Sequence, residues 1–353
     1  MNKNIPIIIL VIVVGLFGIL FLKKNSAKTV KPVVQLVSKN SYPLSVEYMR
    51  EQSYPGSELN IEEELSDGNN YHQYIASYLS QGLKMYGLLT VPIGDKPASG
   101  WPVVIFNHGY IPPDQYVTTE RYVAYVDSFA RNGYVVFKPD YRGHGHSEGK
   151  PEGTYYSPAY TIDVLNAVST LKKYKDADPK RMGMWGHSMG GNIILRAMVT
   201  TKDIKAGAIW AGVVGTYDEI MNEWRRGLPQ RSTGEQATQH ISSIRQNLEK
   251  TYGSLEGNPS FWHSIDPRFY LKDISGPIQL HQGTADETVP KEFSLSLRDD
   301  LLKQKKTVEY YEYEGADHNI SSPSFEVAMQ RSIDFFNKYV KSSSAKATED
   351  EGR

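Results

Sequence analysis

Residues 182–187 form an apolar run, Met182-Gly183-Met184-Trp185-Gly186-His187, and the chain then turns through Ser188-Met189-Gly190-Gly191 into Ile193, Ile194, Ala197 and Met198, spaced as one face of a helix. Strand, tight turn and helix follow one another with no linker between them. A G-x-S-x-G turn in that setting strains the backbone at its apex and exposes the serine hydroxyl, while the glycines let strand and helix approach each other. Ser188 is therefore the candidate nucleophile. Gly145-His146-Ser147-Glu148-Gly149 has the same spacing, but it follows Tyr141-Arg142-Gly143-His144 and precedes Lys150-Pro151-Glu152-Gly153. Neither flank is an apolar strand or a regular helix start, so Ser147 is read as a loop serine.

A serine nucleophile needs a general base, and the base needs an acid to orient it. Residues 277–281 read as a short buried strand, and the loop after it, Gly283-Thr284-Ala285-Asp286-Glu287-Thr288-Val289-Pro290, offers Asp286. Residues 307–313 alternate as a second strand, and their loop, Gly315-Ala316-Asp317-His318-Asn319, offers His318. Ser188, Asp286 and His318 thus follow three predicted strands in the order nucleophile, acid, base, which is the order of the α/β-hydrolase fold. Glu287 and Asp317 are the adjacent competitors, each displaced from the loop position at which this fold places its acid and base.

Such chemistry also needs backbone N–H groups where negative charge develops on the carbonyl oxygen. The N–H of Met189, directly after the nucleophile, is one candidate donor. Residues 102–106 form an apolar strand that ends in Asn107-His108-Gly109-Tyr110, and the N–H of Tyr110 is the candidate second donor. His108 is read as bracing that loop, since a second catalytic histidine is unnecessary.

The 353 residues suffice for one large α/β domain. A formal net charge of −1 gives no basis for a nucleic-acid partner. With no cysteine, neither a disulfide nor a thiolate metal site can form. Asp140, His144 and His146 lie close in sequence, yet 140–146 reads better as a glycine-rich loop than as a metal site. The mechanism asks for no cofactor and no metal, and nothing in the sequence sets an oligomeric state.

Residues 5–22 are an unbroken apolar run of 18 between Lys3 and Lys23-Lys24, the length of a slightly short membrane-spanning helix. No small-residue cleavage pattern follows it. The expectation is an N-terminal transmembrane anchor at 1–24 with the lipid bilayer as partner of 5–22, and a polar tether at 25–41. Lys23, Lys24, Lys28 and Lys31 argue for a cytoplasmic catalytic domain. The short tail ahead of the first apolar segment argues for export, and an extracytoplasmic domain is the expectation adopted.

Residues 42–100 read as an N-terminal extension contributing leading strands near 71–79 and 85–91. Residues 101–340 read as the catalytic domain and 341–353 as a disordered tail. Within the domain, a helix at 117–132, a strand at 134–138, an amphipathic helix at 161–174 and a strand at 205–210 alternate, which predicts a mostly parallel central sheet with helices on both faces. A helix-rich insertion at about 215–268 is expected to form a small helical cap over the nucleophile. Within it Trp224, Phe261 and Trp262 are candidates for an apolar acyl pocket, and Arg225 and Arg226 for a substrate carboxylate.

Asn107-His108-Gly109-Tyr110, the loop 140–147, Gly186-His187-Ser188-Met189-Gly190, the segment 283–290 and Asp317-His318 together resemble the catalytic domain of prolyl oligopeptidase-family serine hydrolases. The resemblance covers about 240 residues and implies Ser188, Asp286 and His318 as triad, with Met189 and Tyr110 as oxyanion donors. Peptidases of that family carry a β-propeller ahead of the catalytic domain, and about 60 residues at 42–100 are too few for one. The expected activity is hydrolysis of small-molecule esters or short peptides through an acyl-enzyme. The alternatives are a carboxylic-ester hydrolase of the same fold and, with a broken triad, a catalytically dead binding protein.

Overall fold

Val103, Val104, Ile105 and Phe106 are apolar in succession, and a strand of that kind needs both faces covered. In the computed structural model, which describes residues 42–224 and 235–342, all four are buried within strand β4. In chain order the strands are β1 (Asn60–Leu65), β2 (Tyr71–Ser80), β3 (Leu83–Pro92), β4 (Trp101–Asn107), β5 (Val135–Pro139), β6 (Ala177–His187), β7 (Ile204–Trp210), β8 (Ile278–Gly283) and β9 (Val308–Tyr313). They make one sheet in the order β1-β2-β3-β5-β4-β6-β7-β8-β9. β1, β2 and β3 run antiparallel at one end, β3 also meets β5 antiparallel, and the pairs from β5 through β9 are parallel.

The helices are α1 (Val46–Glu51), α2 (Val123–Arg131), α3 (Ala159–Leu171), α4 (Met189–Thr200), α5 (Glu235–Tyr252), α6 (Pro259–Ile265), α7 (Lys291–Lys303) and α8 (Ser324–Phe336). Side chains alternate across a strand, and this divides the core in two. Val103, Ile105, Val135 and Phe137 pack with Val164, Ile194 and Leu297 of α3, α4 and α7. Val104, Phe106, Val136 and Trp185 pack on the opposite face with Phe129 of α2 and Ile333 of α8. This is the α/β-hydrolase fold, a mostly parallel sheet with helices on both faces.

Chain order places the site. From β4 the chain moves to β5 on one side and then returns to β6 on the other. The crossovers therefore part between β4 and β6, and a crevice opens beyond the carboxyl ends of the strands at such a point. β4 ends at Asn107 and β6 at His187, so the loop carrying Tyr110 and the turn carrying Ser188 share that crevice. The two elements approach closely: a Cβ on Gly190 would lie 2.1 Å from the carbonyl oxygen of Asn107. Gly190→Ala must displace backbone. We expect it to lower stability by roughly 3 kcal/mol, read from the guanidinium unfolding midpoint.

Three expectations need correction. The helix at 117–132 starts only at Val123, because Arg121 and Tyr122 both adopt positive φ. The preceding segment is tied to the end of β5 instead: the Thr118 hydroxyl donates to Asp140, and Lys138 Nζ donates to the Glu120 carbonyl. β1 was missed because Asn60-Ile61-Glu62-Glu63-Glu64-Leu65 has no apolar alternation; it is an exposed edge strand, where acidic side chains discourage further pairing. Third, the expected membrane location with a single-pass anchor is withdrawn. No helix among the described residues is long and apolar enough to cross a membrane, and the anchor at 5–22 falls outside the described residues. The tether at 25–41 and the tail residues 343–353 fall outside them too.

Between β7 and β8 lie a single π-type turn at Glu219–Glu223, α5, α6 and a 3-10 segment at Pro267–Asp273. Tyr217, Met221, Leu248, Phe261, Trp262 and Ile265 form a separate apolar cluster there, joined by Leu44 and Tyr156 from outside it.

Candidate active site

β6 delivers the chain to Ser188, whose φ of 54° and ψ of −117° lie where a residue with a Cβ rarely sits. Holding such a conformation costs about 1–3 kcal/mol and needs surrounding bonds. The Ser188 N–H donates to the Trp210 carbonyl at 2.9 Å, and its own carbonyl accepts from Gly191 and Val213, both at 3.0 Å. Both neighbours are consequences of sequence: Trp210 ends the adjacent parallel strand, and Gly191 lies in the first turn of α4. Met189 opens that helix, so its N–H has no acceptor within the helix.

Asp286 and His318 stand in the loops after β8 and β9 and meet across them. His318 Nδ1 lies 2.8 Å from Asp286 Oδ2. A carboxylate can only accept here, so the imidazole carries its proton on Nδ1. Asp286 is saturated: Oδ1 accepts from the N–H groups of Thr288 and Val289 at 2.8 and 2.9 Å, and Oδ2 also accepts from Gln282 Nε2 at 3.0 Å. Its side chain is 1% exposed. Burial by itself raises its pKa, but the His318 hydrogen bond and charge and the two N–H groups outweigh burial and hold it below the usual carboxylate value. This depressed pKa adds stability that is present above about pH 4 and lost as pH falls through the folded-state value.

Of the competitors, Asp317 turns away and accepts from the Ser321 N–H and hydroxyl at 2.9 and 3.0 Å, while it is Asp286 that meets His318 Nδ1. Gln282 was not foreseen. It is fully buried in β8 beside two other buried polar side chains, Gln279 and His281, with Oε1 accepting from Ser294 at 3.0 Å and Nε2 directed at Asp286. The available signal was an amide at the end of the strand leading to the acid, four residues before Asp286.

His108 is buried between the rings of Tyr116 and Tyr141, at centroid distances of 4.7 and 4.2 Å. Its Nδ1 donates to the Gly109 carbonyl at 2.7 Å, and Tyr141 donates to the His108 carbonyl at 3.2 Å. These contacts brace the loop whose next residue is Tyr110. Ser147 is buried in its loop, where its hydroxyl accepts from the Tyr86 N–H at 2.9 Å. Ser147→Ala is expected to leave kcat within about two-fold and lower stability by about 1 kcal/mol, the value of one such bond; turnover and thermal melting together check this.

The cap candidates divide. Trp262 is 1% exposed, its indole N–H donates to the Gly253 carbonyl at 3.0 Å, and its ring packs against Tyr217 and Phe261. It fills the core of the apolar cluster between β7 and β8 and is too buried to line an open pocket. Trp224 is half-buried, and its indole N–H donates at 2.8 Å to the carbonyl of Thr288, two residues after Asp286. Arg225 and Arg226 lie outside the described residues. Asp140, His144 and His146 do not assemble a metal site: both Asp140 oxygens are taken by Tyr116 and Thr118, at 2.7 and 2.5 Å. Among the described residues no cluster of three or more metal-ligating side chains occurs.

Residues 121–343 match the prolyl oligopeptidase family. The chain is 24% identical over 261 residues to the uncharacterized peptidase YtmA of Bacillus subtilis (strain 168), covering 72% of this chain and 88% of that protein. It is 30% identical over 221 residues to human dipeptidyl peptidase 8, covering 56% of this chain but only 24% of that longer protein. Among solved structures, the acetyl xylan esterase from Paenibacillus sp. R4 superposes with a TM-score of 0.62 at 17% identity, over 83% of this chain and 92% of the esterase. At that identity the likeness is one of fold.

Proposed function

Because this chain belongs to the prolyl oligopeptidase family and is a serine hydrolase, we propose that it cleaves ester or amide bonds of small-molecule esters or short peptides through an acyl-enzyme on Ser188. The observation that carries this reading is the 2.8 Å bond from His318 to Asp286, made between residues 32 apart in sequence. With the Nδ1 proton held by Asp286, the lone pair of Nε2 is available to take the Ser188 proton as its oxygen attacks the acyl carbon. Asp286 then stabilises the imidazolium without itself taking the proton. The N–H groups of Met189 and Tyr110 receive the charge on the carbonyl oxygen. The imidazolium returns its proton to the leaving alkoxide or amine, and water, activated by the same imidazole, releases the acyl group.

The catalytic unit in this reading is 101–340 with its cap at about 215–268. Trp224, tied to the loop of Asp286, is the cap side chain assigned to the acyl group. The deciding experiment is kcat/KM on matched p-nitrophenyl acyl esters and aminoacyl or prolyl anilides. We expect ester turnover, since an alkoxide leaves with less protonation than an amine. Anilides cleaved at comparable efficiency identify a peptidase, and anilides left untouched identify a carboxylic-ester hydrolase. No turnover of either class, together with no labelling of Ser188 by a fluorophosphonate, overturns the reading in favour of a binding protein on a hydrolase scaffold.

A further inference from the structure

Two consecutive non-glycine residues with positive φ, Arg121 at 56° and Tyr122 at 54°, immediately precede α2. Left-handed backbone costs about 1–2 kcal/mol for each such residue, and a cost of that size calls for an explanation in what the backbone delivers. Here it delivers the Tyr122 hydroxyl to Gly109 and to His187, the residue before Ser188. The ring rests against Phe106 at 5.4 Å and Trp185 at 6.3 Å. The hydroxyl reaches both the Gly109 N–H, at 3.0 Å, and His187 Nδ1, at 2.8 Å. The other nitrogen of His187, Nε2, is 2.9 Å from the backbone carbonyl of His318.

The direction of every bond is forced by its ends. The His318 carbonyl can only accept, so His187 Nε2 carries the proton and Nδ1 is an acceptor. Tyr122 must therefore donate to Nδ1, and its oxygen in turn accepts from Gly109. One chain of hydrogen bonds then runs from the Gly109 N–H through the Tyr122 O–H and the His187 N–H to the His318 carbonyl, each bond polarising the next. It requires a neutral imidazole: a second proton on His187 would leave the tyrosine hydroxyl without an acceptor. Burial, and secondarily the neighbouring His318, push the His187 pKa down to about 3, so neutrality holds at ordinary pH.

We propose that Tyr122 and His187 are positioning residues that lock the oxyanion loop, the serine turn and the base loop into one register. The inference rests on the assignment of Ser188, His318 and the Tyr110 N–H made above. His187 directly precedes Ser188, and its ring lies 4.5 Å from that of His318. Gly109 directly precedes Tyr110, and its N–H is spent on Tyr122, which leaves the Tyr110 N–H rather than its own as the candidate donor of that loop. The space is closed to any side chain at 109: a Cβ there would sit 2.8 Å from the Tyr122 hydroxyl, 3.1 Å from His187 Nδ1 and 3.2 Å from the Ser188 Cβ. Three loops that must agree to within a fraction of an ångström are thus joined through two side chains.

The test is a kinetic cycle of Tyr122→Phe, His187→Leu and the double variant on a p-nitrophenyl ester, with His187→Gln and Ser188→Ala alongside. Misplacement of reacting groups by about 1 Å costs on the order of 100-fold, so Tyr122→Phe should lower kcat by roughly 10- to 100-fold while KM stays within about two-fold. If the two side chains act as one connection, the double variant loses no more than the worse single. His187→Gln, which keeps a neutral donor and acceptor, should recover part of what His187→Leu loses. Tyr122→Phe is nearly isosteric and keeps the experiment readable if the leucine variant does not fold. Wild-type kcat in Tyr122→Phe, a change in KM alone, or additive losses in the double variant overturn the proposal while an inactive Ser188→Ala leaves the triad standing. Full activity in Ser188→Ala overturns both.

Discussion

Ser188→Ala is expected to lower kcat by about a million-fold, the loss that follows when the nucleophile of a serine triad is removed alone. Residual turnover above the uncatalysed rate would come from the N–H groups of Met189 and Tyr110 and from binding. The fold should survive. Ser188 is partly exposed, and what holds its unusual φ and ψ is the set of backbone bonds to Trp210, Gly191 and Val213, none of which uses the hydroxyl. Alanine keeps the Cβ and with it the strain, so thermal melting should stay within about 2 °C. Ser188→Gly separates the two effects: equally inactive, it should be more stable than Ser188→Ala, because glycine adopts φ of +54° without penalty. Single-turnover assays with calorimetry on the three proteins check all of this. A Ser188→Ala protein that turns over at more than a few per cent of wild type would move the nucleophile elsewhere.

What could be read in the linear chain was what periodicity and order carry. An apolar run before a glycine-flanked serine implies strand, turn and helix wherever it occurs, and β6 and α4 meet at Ser188 for that reason. Asp286 and His318, which the structure brings to 2.8 Å, stood out because each lies in the loop after a predicted strand, and order along the chain is kept by topology even when distance is not. Trp262 misled because an aromatic side chain in a cap reads the same whether it faces substrate or the cap interior; only burial and the bond to Gly253 distinguish the two. The overlong helix at 117–132 failed for a related reason. Thr118 and Tyr122 are spent on Asp140, His187 and Gly109, and no local pattern announces a partner 65 residues away in the sequence. The Tyr122–His187 pair is invisible for the same cause, and the amide of Gln282, though it stands in the strand leading to Asp286, takes its meaning only from tertiary neighbours.

Asp286→Asn is expected to lower kcat by about 10^4-fold with little change in the backbone. The reason is specific to how Asp286 is held. Its Oδ1 accepts from the N–H groups of Thr288 and Val289, and an asparagine amide can preserve both bonds only by placing its oxygen there. Its NH2 group must then occupy the Oδ2 position, facing His318 Nδ1. A donor in that position makes Nδ1 an acceptor and drives the imidazole proton to Nε2, where it blocks acceptance of the Ser188 proton. Gln282 cannot relieve the conflict by rotating its amide. Its Nε2 is also directed at the Val289 carbonyl, 3.4 Å away, and its oxygen accepts from Ser294, so a flipped amide would set two oxygens against each other. The new NH2 group therefore faces the Gln282 NH2 as well, at a cost of about 1–3 kcal/mol of stability. Asp286→Ala removes the tautomer lock without reversing it and should be the more active of the two despite its cavity. An Asp286→Asn protein with near wild-type kcat would remove Asp286 from the mechanism, whereas the predicted ranking, asparagine below alanine in activity, would establish that its work is to hold one proton on one nitrogen.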